Sequence, residues 1–310
     1  DAYRIESAPT EQQPALAATY QTGYRLAMIW AGAGVLWLAA RAQGGAAGYD
    51  NHAWQVAYFV MAASMALGVL TVLVSPEPAP LPLPAARSAQ EWVQSALVAP
   101  FADFFRRYKW QAALILALIA VYRISDVVMG IMANPFYVDM QFSKDQVALV
   151  SGVFGIVFTL LGTFIGGVLA MRMGVMRVLM LGAVLSSASN LLFAWLSSVP
   201  DIAQDVWRFS VLGQPFAIAR ALTAVIAADN LSGGIASAAF IAYLSGLTSI
   251  RYSATQYALF SSIMLLLPKF IAGFSGTFVN HYGYPAFFIG TALLGVPVVA
   301  LVWLAGLKTN

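Results

Sequence analysis

The chain has 310 residues, 60% hydrophobic and 9% charged, with a net charge of +3 and a mean hydropathy of +0.77. A soluble domain carries about 25% charged residues, so this composition cannot furnish a water-facing surface. Without cysteine there is no disulfide framework and no thiolate metal or redox site, and so small a charge gives no footprint for nucleic acid.

The chain opens on the polar run Asp1-Ala2-Tyr3-Arg4-Ile5-Glu6, with neither an initiator Met nor a basic leader region. A membrane-crossing helix needs about 20 apolar residues. Eight segments meet that demand: 14–40, 54–74, 112–134, 147–170, 178–198, 221–249, 254–277 and 285–306. No segment alternates with the period of two that barrel strands require, so the expected fold is an all-α polytopic membrane bundle. Arg25, in Gly23-Tyr24-Arg25-Leu26, falls deep in the first span. It can snorkel toward the cytoplasm or face a substrate, and both readings stay open.

Residues 75–110 interrupt the spans. In Ser75-Pro76-Glu77-Pro78-Ala79-Pro80-Leu81-Pro82-Leu83-Pro84 proline recurs at every second position, which forbids a helix and favours extended polyproline II. Val93, Leu97, Phe101 and Phe104 then recur at helical spacing and lead into Arg106-Arg107-Tyr108-Lys109. This reads as an amphipathic helix lying on anionic lipid, with a partner-binding helix as the alternative. The expected domains are therefore 1–74 with two spans, a cytoplasmic linker over 75–110, and a six-helix bundle over 111–310.

Lys and Arg set the orientation. Arg4, Arg87, Arg106, Arg107, Lys109, Arg172, Arg177, Arg251 and Lys308 collect on one side, against Arg41, Lys144, Arg208 and Arg220 on the other. Both ends of the chain and the linker are therefore expected in the cytoplasm.

Four ionisable residues lie inside apolar spans of the bundle. Arg123 and Asp126 are three residues apart and share one helix face. Asp229 follows in Ala228-Asp229-Asn230-Leu231-Ser232-Gly233-Gly234, and Lys269 comes directly after Pro268. Asp126, Asp229 and Lys269 are each eight residues from the outer end of their expected spans. At about 1.5 Å per residue all three sit roughly 12 Å below the outer surface, which points to one polar chamber. Charges in hydrocarbon are costly and usually face a cavity or a partner. A self-neutralised Arg123–Asp126 pair and a static Asp229–Lys269 pair are the purely structural alternatives. Small residues at Gly162, Gly166, Gly233, Gly234, Gly273 and Gly276 allow helices to approach closely. His52 and His281 lie in separate outer loops and cannot form a metal pair on one helix, and the nucleotide-binding and nucleophile-elbow motifs are absent.

Gly167-Val168-Leu169-Ala170-Met171-Arg172-Met173-Gly174 resembles the Gly-x-x-x-Asp-Arg-x-Gly loop of the major facilitator superfamily, with Met171 where that motif has an acid. More of the chain resembles one family, the AmpG-type muropeptide permeases. The resemblance rests on Asp1-Ala2-Tyr3-Arg4 with Pro9, Gly23-Tyr24-Arg25-Leu26, Asn134-Pro135-Phe136-Tyr137, Ala228-Asp229-Asn230-Leu231-Ser232 and Ser253-Ala254-Thr255-Gln256-Tyr257-Ala258-Leu259. It implies a twelve-helix transporter of the bacterial inner membrane that imports anhydro-muropeptides by proton symport, with this chain starting after the fourth helix.

The expected substrate is an anionic sugar-peptide, the expected energy source is the proton gradient without a cofactor, and the expected state is a monomer among membrane lipids. Arg123, Lys269 and Arg25 are then candidates for substrate carboxylates, and Asn230 and Gln256 for sugar or peptide groups. Asp229, ahead of Asp126, is the candidate for the coupling proton, because a carboxylate whose cation can move away is the better switch. A facilitator for another anionic metabolite, such as an acyl-CoA, and a membrane-embedded lipid-modifying enzyme remain the alternatives.

Overall fold

Long apolar runs without prolines at their centres can satisfy backbone groups in hydrocarbon only as helices. The computed structural model, which describes residues 2–44, 50–78, 88–211 and 214–307, follows that rule. Among these residues eight helical stretches are long and apolar enough to cross a membrane. They are Thr10–Gln43, Asn51–Val74, Gln111–Asp139, Leu149–Met173, Val175–Ser198, Arg220–Leu247, Ile250–Ala272 and Ser275–Gly306. Many of their largest apolar side chains point away from protein, with Phe59 75% and Val74 81% exposed. Such a surface needs hydrocarbon to cover it. The architecture is all-α and polytopic, of the facilitator type.

The chain divides into two compact units, Asp1–Thr19 with Leu83–Asn310, and Tyr20–Pro82. Helix α1 (Ala2–Ser7) and the first turns of α2 (Gln13–Ile29) fall in the larger unit. The smaller unit holds the rest of α2, a π-helical turn, α3 (Val35–Gln43), α4 (Asn51–Ser64) and α5 (Ala66–Val74). Within it, Asp50 caps α4 by accepting from the His52 amide at 2.9 Å, and Trp30 Nε1 donates to Ser64 Oγ at 3.2 Å. Most of the proline run, Arg87, Lys308 and the Leu97 side chain lie outside the described residues.

After the linker, α6 (Ala89–Val93) passes through a π turn into α7 (Ala99–Tyr108). The first span of the bundle is three helices, α8 (Gln111–Val121), α9 (Ile124–Ile131) and α10 (Ala133–Asp139), broken at Arg123 (φ −93°, ψ 8°) and Met132 (φ −96°, ψ 0°). Then come α11 (Lys144–Val147), α12 (Gly155–Met173) and α13 (Val175–Ser198). Next are α14 (Arg220–Leu247), α15 (Ser253–Ala272), α16 (Ser275–Leu293) and α17 (Gly295–Gly306).

Two features depart from the sequence expectation. Between α13 and α14 the chain forms an antiparallel hairpin, β1 (Val206–Val211) with β2 (Gln214–Ala219), in register from Val206↔Ala219 to Val211↔Gln214. These strands lie between spans, where the search for membrane-length patterns does not reach. The turn between the last two spans falls inside the expected gap of 278–284, but the seventh span runs on past residue 277 to reach it. Gly273 and Phe274 interrupt the helix but keep right-handed dihedrals (φ −59°, ψ −23° and φ −94°, ψ −2°), so α16 carries on from α15. The reversal comes at Gly283 (φ 77°, ψ 171°), a conformation matched by Gly174 (φ 86°, ψ 150°) between α12 and α13. Positive φ is open to glycine at no steric cost, so a single residue turns the chain at both places.

The bundle is tightest where α12 meets α14. A Cβ added at Gly166 would stand 2.8 Å from the Ile235 Cα, one at Gly162 would strike the Leu231 carbonyl, and one at Gly234 the Thr159 carbonyl. Gly182 of α13 lies as close to Ala236, 2.7 Å from its Cα. Backbone cannot retreat as a side-chain tip can. Gly234→Val is therefore expected to lower stability by about 1–3 kcal/mol, as overpacking does. Gly233→Ala, with nothing within 4 Å of its Cβ, is expected to leave it unchanged or slightly raised. Thermal unfolding of the two variants in detergent checks the contrast.

Candidate functional site

The break at Arg123 places a guanidinium inside the bundle. Its Nε lies 3.3 Å from Asp126 Oδ2, and its Nη1 donates to Ser237 Oγ on α14 at 2.8 Å. Both side chains of the pair are mostly covered, at 25% and 19% exposure. Tyr122, one residue earlier, donates to the Leu179 carbonyl at 3.0 Å and stacks on Phe240 with ring centroids 4.4 Å apart. The span is thus pinned to both α13 and α14 at the depth of the ion pair.

Asp229 stands two turns before Ser237 on the same helix. Its Oδ1 accepts from Ser189 Oγ on α13 at 3.0 Å. Ser186, one turn before Ser189, lines the same small cavity as Asp126, and Arg123 reaches Ser237 on the helix that carries Asp229, so the two carboxylates and the guanidinium border one polar region. Helix α13 supplies further polar groups. Asn190 Nδ2 donates to Ser125 Oγ at 2.9 Å, and Ser125 donates to the Thr291 carbonyl at 2.7 Å. A cavity of about 10 Å³, lined by Asp126, Ser125 and Ser186 among others, lies beside the pair. It is about the size of one water molecule. Ser186 Oγ and Asn190 Oδ1 are buried and have no hydrogen-bond partner among the described residues.

The remaining sequence candidates separate from this cluster. Lys269, in the last turn of α15, is exposed and forms no ion pair with Asp229 among the described residues. The equal-depth argument loses its basis at Lys269, because the helix it counted from does not end at residue 277. Asn230 lies next to Asp229, but its amide is engaged, with Oδ1 accepting from Thr159 at 2.8 Å and Nδ2 donating to the Ile226 carbonyl at 2.9 Å. It ties α14 to α12. Arg25 lies in α2 within the other unit.

Gln256 is part of a different structure. It is 1% exposed, and its Oε1 accepts from Arg107 Nη2 at 3.0 Å and from the Ser249 amide at 2.7 Å. Its Nε2 donates to the Pro100 carbonyl at 2.8 Å and to Asp103 at 3.2 Å. The side chain that the sequence offered to a sugar is thus a bolt between the linker helix α7 and the turn joining α14 to α15. Arg107 adds a bond to the Leu247 carbonyl at 3.0 Å, and Phe104 packs on Phe260. Burial pushes the Tyr108 phenol above its ordinary range against the opposing influence of Arg107.

The same end of the bundle receives the start of the chain. Arg4 donates to Gln13 Oε1 at 3.0 Å and to Ser245 Oγ at 2.8 Å, and Ser253 donates to Glu6. Of the residues that sequence reasoning missed, Ser189 and Ser237 carry no signal in a single sequence, since small hydroxyls are ordinary in packed helices. The Gln256→Ala substitution strands a guanidinium, an amide and a carbonyl at once. It is expected to lower stability by about 2–3 kcal/mol. Arg106→Ala, at an exposed pair 3.6 Å from Asp103, should change it by less than about 0.5 kcal/mol. Paired melting curves decide between them.

No protein-family model matches the chain. Across its whole length, in an alignment of 311 positions, it is 28% identical to AmpG 4 of Rickettsia conorii, named as a transporter, and covers 69% of that protein. It is 30% identical over 303 residues to the anhydromuropeptide permease of Escherichia coli K12, matching 97% of this chain and 55% of the permease. The AmpG 4 protein of Rickettsia felis is also 28% identical over 311 residues. The chain therefore has permease and transporter homologues along nearly its whole length, and it is a multi-pass membrane protein.

Proposed function

We propose, from the homology to AmpG-type permeases, that this chain forms part of a secondary active transporter of the bacterial inner membrane. It imports anhydro-muropeptides from periplasm to cytoplasm in peptidoglycan recycling, driven by the proton gradient, and is not an enzyme. The observation that carries the mechanism is the cluster of Arg123, Asp126 and Asp229 in an otherwise apolar bundle. Ionic groups stay in such a medium when they face a substrate or ion path.

Muropeptides bear carboxylates, and Arg123 is the buried cation suited to meet one in a bidentate way. Lys269, exposed on α15, is a second cation open to an anion. Asp229 is the proton carrier in this reading. Asp126 holds the Arg123 guanidinium at 3.3 Å, whereas Asp229 is held by a serine hydroxyl. The group without an ion-paired cation gains and loses a proton with the smaller rearrangement.

Uptake of labelled anhydro-muropeptide into vesicles carrying the full-length protein, with and without a proton ionophore, tests this. Arg123→Ala should lower affinity roughly tenfold or more, the value of a charge-assisted contact. Asp229→Asn should abolish ionophore-sensitive accumulation while equilibrium exchange persists. Accumulation by Asp229→Asn equal to that of the parent protein would remove Asp229 from the coupling step.

A further inference from the structure

Two carboxylates and one guanidinium share the polar core, so the cluster carries one surplus negative charge when all three are ionised. In a medium of low dielectric a surplus charge must be offset by hydrogen bonds or by a proton. Arg123 is already committed to Asp126 and Ser237. The geometry around Asp229 shows how the remaining charge is handled.

Ser189 Oγ lies 3.0 Å from Asp229 Oδ1 and 2.8 Å from the carbonyl oxygen of Ser186, one turn earlier on α13. Ser189 is 3% exposed. A serine hydroxyl has one hydrogen and two acceptor lone pairs, so it can donate to only one of these oxygens at a time. Both acceptors are within reach from one side-chain position.

We propose that Ser189 is a positioning residue for the coupling proton, whose single hydrogen turns between Asp229 and the Ser186 carbonyl as Asp229 releases and gains that proton. This rests on the assignment of proton coupling to Asp229. With Asp229 charged, Ser189 donates to the carboxylate and forms a charge-assisted bond. With Asp229 protonated, the acid donates to Ser189 Oγ, and the serine hydrogen turns to the Ser186 carbonyl. The proton itself enters and leaves at the Asp229 carboxyl. Ser189 keeps its own hydrogen throughout and only rotates about its C–O bond. In both states Ser189 and Asp229 Oδ1 keep a hydrogen bond without a backbone shift, which lets Asp229 change charge with the helices in place.

The groups around Asp229 are known. Asp126 and Arg123 act on it from the first bundle span, and Tyr137 from α10. Ser189 faces it from α13, and on α12 Thr159, which does not titrate, binds the adjacent Asn230. None of the others is bonded to both Asp229 and a second acceptor.

The test is the pH profile of gradient-driven uptake of labelled anhydro-muropeptide by the full-length protein in proteoliposomes. Ser189→Ala removes a bond that is stronger to the charged carboxylate than to the acid. The half-maximal point should therefore move toward higher pH by about one unit, a tenfold change. Ser189→Thr, which keeps the hydroxyl, should restore the parent profile. If the alanine variant is not recovered folded, Ser189→Cys, a weaker donor of similar shape, carries the same comparison and should shift the profile in the same direction by less. A carboxyl stretching band identified by its loss in Asp229→Asn should move in Ser189→Ala, because the acid has lost its acceptor. A parent-like profile and an unmoved band in the alanine or cysteine variant overturn the Ser189 switch. Parent-like accumulation by Asp229→Asn overturns the coupling assignment itself, and so separates the two failures.

Discussion

The seam between α12 and α14 is the contact on which the site depends. At Gly162, Gly166 and Gly234 the two backbones touch with no Cβ between them. Between helices in a membrane there is little hydrophobic gain in association, so close backbone packing carries much of the attraction. Helix α14 is thereby fixed against α12 on one side and, through Gly182 and Ala236, against α13 on another. That fixes which faces of α14 present Asp229 and Ser237. Ser237 then receives Arg123, and Asp229 receives Ser189. A looser seam would let these hydrogen bonds lengthen, and an unmet polar group in hydrocarbon is costly.

The cluster is asymmetric in a way that suits coupled transport. Asp126 carries its own cation three residues away, held there by the break in the helix at Arg123. Asp229 relies on a hydroxyl from a neighbouring helix and on the fields of the other two groups. Equal carboxylates in one sequence thus acquire unequal surroundings. In the proposed function, an anionic substrate competing for Arg123 would change the surroundings of Asp126, its ion-pair partner.

A second polar network closes one end of the bundle. Gln256 and Arg107 join α7 to the α14–α15 turn, while Arg4 and Glu6 join α1 to the same region. Its side chains are as polar as those of the candidate site, yet nearly every donor meets a protein acceptor. Side chains bonded to several partners across helices mark a structural junction, whereas the Ser186 and Asn190 oxygens beside Asp126, without partners among the described residues, mark a region with polar capacity to spare.

The sequence by itself determined the medium, the eight membrane-length helices, the amphipathic linker helix and the pairing of Arg123 with Asp126. These follow from composition and from spacing along one helix, both of which are local. It also marked Asp229, because a lone acid in an apolar run is conspicuous without any partner in view. Only the tertiary structure decided what Asp229 touches, since Ser189 is 40 residues away. It likewise placed Gln256 and Asn230 in hydrogen bonds between helices, and left Lys269 unpaired with Asp229 among the described residues. An amide's role depends on which donors and acceptors surround it, and those arrive from other helices. Depth counted along the chain failed at Lys269 because the helix runs past residue 277 to the turn at Gly283, and hydropathy does not mark so gradual an end. The hairpin at 206–219 escaped because it serves the loop and not the membrane, where the period of the spans has no hold.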